Sequence, residues 1–144
     1  MLVANIPKGL GDVRVGKAEA LPFESDFFQT VWVYGVLHHL SGPDAYRAAC
    51  KEIVRVLAPG GRVFIMEPGR YRTFQAIEAA AGVLGLVSKT FRALRETMDE
   101  ERPLQHLFLR EHGVVREELE RLGLTPEVDS YFVYSWLYTA RKAS

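Results

Sequence analysis

Residues 18–68 read AEALPFESDFFQTVWVYGVLHHLSGPDAYRAACKEIVRVLAPGGRVFIMEP. Two apolar runs stand out, Thr30–Gly35 and Arg62–Met66. Neither alternates with polar residues, so each reads as a strand buried on both faces. Between them Pro43 and Asp44 open a helix, with Ser41 a cap just upstream. Tyr46, Ala49, Cys50, Ile53 and Leu57 fall at helical spacing and form its core face. Arg47, Lys51, Glu52 and Arg55 point outward. Pro59, Gly60 and Gly61 stop the helix and turn the chain. The stretch is therefore a βαβ unit, with the two runs as adjacent parallel strands joined by the Pro43–Leu57 helix in a right-handed crossover. Open α/β sheets bind ligands at the carboxyl ends of their strands.

Working outward, Val13–Val15 is a short strand candidate and 16–26 a loop carrying Pro22 and several acids. An alanine- and leucine-rich helix is expected from Thr73 to Arg95. The charged run from Met98 to His106 contains Pro103 and reads as a loop. Arg110 to Leu122 is helical, with Val115, Leu119 and Leu122 on one face, and Gly123 ends it. Glu127–Tyr134 and Trp136–Arg141 are aromatic, β-branched runs that read as an antiparallel pair.

The chain has 144 residues, one domain by length. Hydrophobic residues make up 48% and charged residues 25%, enough to bury a core. Net charge is zero, which argues against a bulk electrostatic partner such as nucleic acid or an anionic membrane. Cys50 is the single cysteine, so no intramolecular disulfide forms; this suits a cytoplasmic location. The opening MLVANIPKGLG has no signal-peptide pattern. The least polar stretch, Ala79 to Val87, is too short to span a bilayer. The histidines lack a zinc-ligand spacing, so no metal is expected. No glycine-rich phosphate loop occurs: Gly60 and Gly61 follow a helix and precede a strand, the reverse of a dinucleotide fingerprint.

AEALPF, VYGVLHHL and EIVRVLAPGGRVFIMEP together resemble class I S-adenosylmethionine-dependent methyltransferases. The likeness is to the small-molecule group that includes quinone-biosynthesis C-methyltransferases. In that family seven strands lie in the order 3-2-1-4-5-7-6. The resemblance implies a partial Rossmann-like α/β sheet with flanking helices. Val13–Val15 would be strand three, Thr30–Gly35 strand four, Arg62–Met66 strand five and the C-terminal pair strands six and seven. It implies one incomplete methyltransferase domain over 1–144, a truncated or partial enzyme without the glycine-rich cofactor loop.

The resemblance also implies site residues. The cofactor would be S-adenosylmethionine. The N–H of Ala18 would meet the adenine ring, flanked by Lys17 and Glu19, with Leu21 and Phe23 supporting the loop. Many relatives carry an aspartate where this chain has Lys17. Tyr34 and Gly35 would pass the methionine part. His39 would face the cofactor–substrate junction as a general base or hydrogen-bonding group. Its other reading, and the favoured one for His38, is to cap and orient the turn. Glu67 would touch substrate or else form a salt bridge or cap. The implied reaction is methyl transfer to a small-molecule acceptor; the alternative is a non-catalytic methyltransferase-like scaffold or partner subunit. Without strand one, Thr30–Gly35 would be an open apolar edge that invites homodimerisation.

Overall fold

The computed structural model describes residues 13–69, 102–132 and 135–144, with 76 and 79 as isolated helical positions. Strand β1 is Phe28–Tyr34, followed by a single 3-10 turn, Leu37–His39. Helix α1 is Pro43–Val56, and strand β2 is Leu57–Pro68. Residues 102–111 are helical, and α2 is Gly113–Arg121. Strands β3, Leu124–Phe132, and β4, Ser135–Lys142, complete the described chain.

The sheet order is β1-β2-β4-β3. β1 and β2 are parallel, from Thr30 opposite Arg62 to Tyr34 opposite Met66. β4 pairs antiparallel with both β2 and β3. This is the 4-5-7-6 half of the order implied by the resemblance. The βαβ unit and the C-terminal antiparallel pair both form as the sequence indicates.

Several boundaries differ for identifiable reasons. Val13–Val15 forms no strand; Val13 and Val15 are 47% and 63% exposed. A three-residue strand has no ladder to join unless a neighbour lies beside it. Ser41 is not the cap of α1. Gly42 holds that position without a side-chain hydrogen bond, and Pro43 starts the helix where no N–H is needed. The expected loop around Pro103 is helical from 102 onward among the described residues. The Thr73–Arg95 helix falls outside the described residues apart from 76 and 79.

Pro59, Gly60 and Gly61 do not precede the strand but bulge within it. Phe28 faces Leu57, yet Thr30 faces Arg62. Gly60 takes φ +74° and donates its N–H to Ala143 O. A Cβ on Gly61 would lie 2.8 Å from Ala58 O and 3.0 Å from Gln29 O. Backbone on both sides leaves only glycine room there.

The core lies on one face of the sheet, under α1 and α2. Val33, Val63, Ile65, Trp136, Tyr138 and Ala140 meet Tyr46, Cys50, Ile53, Val115 and Leu119. Trp32 and Tyr34 are 65% and 72% exposed, so β1 is not buried on both faces as its composition suggested. Trp32 stacks on Phe64 with centroids 4.5 Å apart. At the other end Lys142 Nζ donates to Val54 O, Leu57 O and the Asp26 carboxylate. It ties β4 to the carbonyl end of α1, where a cation complements the helix dipole. No helix among the described residues is long and apolar enough to cross a membrane.

Candidate active site at the carboxyl ends of β1 and β2

The site begins with the sharp exit of β1. Gly35 takes φ +62° and donates its N–H to Met66 O. The chain then coils once through Leu37–His39. What holds this turn is Glu67, at the end of β2. Its Oε1 accepts from the N–H groups of Val36 and Leu37 at 2.7 and 2.8 Å. Its Oε2 lies 2.6 Å from His38 Nδ1. Glu67 is 2% exposed and His38 6%. Two backbone donors and the His38 ring nitrogen converge on this buried carboxylate, which satisfies the start of the turn and fixes the imidazole.

The two histidines divide the turn between them. His38 is buried and lines a cleft of about 160 Å³ with Tyr34, Gly35, Met66, Pro68, Ser135 and Glu67. His39 is exposed, and its ring lies 4.1 Å from that of His38. His38, not His39, therefore sits among the residues lining the cleft. Among the described residues no three His, Cys, Asp or Glu side chains converge in a metal-holding arrangement.

A second, larger pocket of about 270 Å³ opens on the other side of the β1 exit. Lys17, Ala18, Leu21, Phe23, Val31, Val33 and Leu37 are among its lining. The loop that walls it is short and tied at both ends. Ala20 N donates to Lys17 O at 3.0 Å, which turns the chain at Ala18 and Glu19. Arg14 lies over the Phe23 ring at 5.0 Å and donates to Pro22 O. Glu52 and Arg55, the outward residues of α1, clamp the far side. Glu52 accepts from Leu21 N, and Arg55 donates to the carbonyls of Leu21 and Phe23. The Arg55 hydrogen bond holds the Glu52 carboxyl below its ordinary range.

Of the residues named from sequence, Lys17 and Ala18 line the larger pocket, while Tyr34, Gly35 and Glu67 line the cleft. Glu19 sits on the Ala18 turn and belongs to neither lining. Sequence reasoning passed over the Glu52–Arg55 clamp. Their spacing on the outward face of α1 reads as a solvated ion pair, and nothing local shows a loop folding onto them. Cys50 is no candidate: burial pushes its thiol up to about 12, and its Sγ lies 3.8 Å from Val115 O.

A polar cluster flanks the site beyond Phe108. His112 Nδ1 faces Leu109 O at 3.2 Å, and its Nε2 faces Tyr131 Oη at 2.9 Å. The Trp136 indole donates to Asp129, which also accepts from Arg116. Burial lowers the pKa of His112 below its ordinary 6.5, and the hydrogen bonds to the Leu109 and Phe108 backbone only partly offset it. The sign follows from linkage. Between the lowered folded value and 6.5 the unfolded chain binds more protons, so stability rises with pH. The contribution is complete above 6.5 and is lost as pH falls through the folded value. His112→Asn should flatten that part of a urea-midpoint profile; an unchanged slope below 6.5 would clear His112 of the effect.

The comparisons with known proteins agree with this geometry. A family described as Methyltransferase domain matches residues 3–65. Over 55 residues the chain is 42% identical to the ubiquinone/menaquinone biosynthesis C-methyltransferase UbiE of Chromobacterium violaceum, covering 38% of this chain and 21% of that protein. Over 54 residues it is 41% identical to tRNA (carboxymethyluridine(34)-5-O)-methyltransferase of Arabidopsis thaliana, covering 38% of this chain and 13% of that protein. The chain thus spans only 21% and 13% of the length of these two relatives. A SAM-dependent methyltransferase from Methanosarcina mazei superposes with a TM-score of 0.56 at 15% identity, covering 90% of this chain and 66% of the other. The cyclase SpnF superposes at 0.53 with 16% identity, covering 90% and 56%. That one of these folds is a cyclase separates fold from activity. Residues 3–65 thus match the methyltransferase domain family in sequence, and the described residues take the fold of the class I S-adenosylmethionine-dependent methyltransferases.

Proposed function

We propose that this chain supplies part of an S-adenosylmethionine-dependent methyltransferase acting on a small-molecule acceptor. The observation that carries the reading is the pair of cavities at the carboxyl end of β1, separated by its sharp exit at Gly35. The larger has apolar walls from Leu21, Phe23, Val31 and Val33, suited to a flat base. Ala18 on its rim has a backbone N–H with no hydrogen-bond partner among the described residues, the group an adenine ring nitrogen would take. These features fit the cofactor. Lys17, Ala18 and Glu19 would meet its adenine end, and Tyr34 and Gly35 its methionine end. When bound, the cofactor supplies a methyl group on a sulfonium. The chain's own residues orient the acceptor and exclude water beside it. His39, exposed at the rim of the turn, would contact the acceptor from solvent.

Charge favours the small molecule over tRNA. Arg47, Arg55, Arg62, Arg116, Arg121 and Arg141 each lie within 3.2 Å of a carboxylate. Binding a polyanion draws on unneutralised cations, and the net charge is zero. Methyl transfer from labelled cofactor to a small aromatic acceptor and to bulk tRNA tests this. Transfer to tRNA alone would overturn the small-molecule reading.

The edge of β1, the outer strand among the described residues, is proposed to seat a second copy. Thr30–Tyr34 carries no charge, and Trp32 within it is exposed. Light scattering across a concentration series should show a dimer; a monomer throughout would refute the edge contact.

A further inference from the structure

We propose that Glu52 and Arg55 are positioning residues for the cofactor pocket: from the outward face of α1 they hold the loop at 21–25 in the shape that builds the pocket's apolar wall. This rests on the methyltransferase reading and concerns the same pocket.

Leu21 and Phe23 both line the pocket. Their backbone has little of its own to hold it there. Within the loop the bonds are Ala20 N–H to Lys17 O and Phe23 N–H to Leu21 O. Apart from the bridge of Lys17 with Ala20, residues 16–26 form no strand or helix. The other polar groups of the wall are met by α1. Glu52 Oε2 accepts from Leu21 N–H at 2.8 Å. Arg55 Nη2 donates to Leu21 O at 3.0 Å, and its Nη1 donates to Phe23 O at 2.8 Å. Beyond Phe23, Asp26 sits at φ +57° and donates its N–H to Arg55 O at 2.8 Å.

A guanidinium suits this task and an ammonium does not. Arginine carries all its N–H donors in one planar fork. Those of Arg55 meet Glu52 Oε1, Glu52 Oε2, Leu21 O, Phe23 O and, at 3.5 Å, Ser25 Oγ. Every donor of the fork is spent, so no swing of the side chain keeps them all. Glu52 braces the fork and takes the N–H of Leu21 as well. A partly exposed ion pair on one helix adds little to stability by itself. The same helix supplies a comparison. Arg47 and Asp44 have the same spacing and lie 3.0 Å apart, and their bond stays within the helix.

Neither Glu52 nor Arg55 belongs to the pocket lining, whereas Ile53, between them in sequence, does. One face of α1 therefore meets the pocket, and the other fastens the loop that walls it. A pocket formed for only a fraction of the time binds with its intrinsic affinity reduced by that fraction. Loosening the loop should weaken binding while the sheet and its core stay as they are.

The test compares Arg55→Lys, Glu52→Gln and Arg47→Lys with the wild-type chain. Amide hydrogen exchange, urea unfolding and calorimetric titration with S-adenosylhomocysteine are measured on each. Arg55→Lys keeps the charge and loses the fork. It should speed exchange at Leu21 and weaken S-adenosylhomocysteine binding several-fold. Exchange at Val33 and Ile65, paired in the β1–β2 ladder, should not change, and the urea midpoint should stay near wild type. Glu52→Gln turns an amide N–H toward the fork and should give the same pattern. Arg47→Lys should move none of these readouts. Unchanged exchange at Leu21, or faster exchange there with unchanged affinity, would overturn the proposal. So would an affinity loss matched by Arg47→Lys, or a urea midpoint that falls in step with affinity, which would make the pair structural. A wild-type chain that protects Leu21 N–H yet binds no S-adenosylhomocysteine would sink the cofactor reading, and the positioning role with it. The exchange comparison would still decide whether the pair fastens the loop.

Discussion

Glu67→Ala should cost this protein about 2–6 kcal/mol of stability, because each of two buried backbone donors left without its acceptor costs about 1–3 kcal/mol. The effect comes from two backbone donors and one imidazole losing a shared partner. Val36 N–H and Leu37 N–H would face an apolar methyl, and His38 would lose the carboxylate at its Nδ1. A domain is typically stable by only about 5–15 kcal/mol, so the loss is a large fraction of the whole. Glu67→Gln gives a sharper comparison. Its amide oxygen can keep both backbone donors, and its NH₂ can donate to His38. Most of the loss should therefore be restored in urea unfolding of the two variants. Equal, small losses would mean that the Leu37–His39 turn does not depend on this carboxylate.

Trp136→Ala should cost about 3–5 kcal/mol, as large-to-small changes at a buried aromatic do. Trp136 is 1% exposed and sits opposite Glu67 in the β2–β4 register and opposite Tyr131 in the β3–β4 register. Its ring contacts Phe108, His112 and Tyr138, and its N–H donates to Asp129. Deletion opens a cavity behind the His38–Glu67 pair and leaves Asp129 with Arg116 alone. Trp136→Phe keeps much of the volume but loses that hydrogen bond, so it should fall between wild type and alanine. A Trp136→Ala midpoint within error of wild type would show that the aromatic row does not support the site.

Much of this architecture was legible in residues 18–68. Unalternating apolar runs around an amphipathic helix dictated the parallel pair β1 and β2, and Pro43 marked the first turn of α1. The two aromatic runs near the C-terminus gave β3 and β4. The misreadings share a cause, which is that local composition does not show what a segment lies against. Val13–Val15 has the residues of a strand but no ladder. Trp32 and Tyr34 have the residues of a core but face outward. Pro103 reads as a breaker, yet the described residues around it are helical. The site shows the same limit. Glu67 and His38 are 29 residues apart, and only the parallel register brings the end of β2 to the turn after β1. Glu52 and Arg55 look solvated until the Leu21–Phe23 loop folds onto them.

The central claim is that the carboxyl end of β1 is a cofactor site. Titrating isotope-labelled protein with S-adenosylhomocysteine, and following backbone amides, tests it most directly. The account predicts ligand-dependent shifts at Ala18 and Gly35, with smaller ones at Leu21 and Leu37, and none along Leu124–Val128. Saturating ligand that leaves Ala18 and Gly35 unmoved, or shifts confined to β3 and β4, would contradict it.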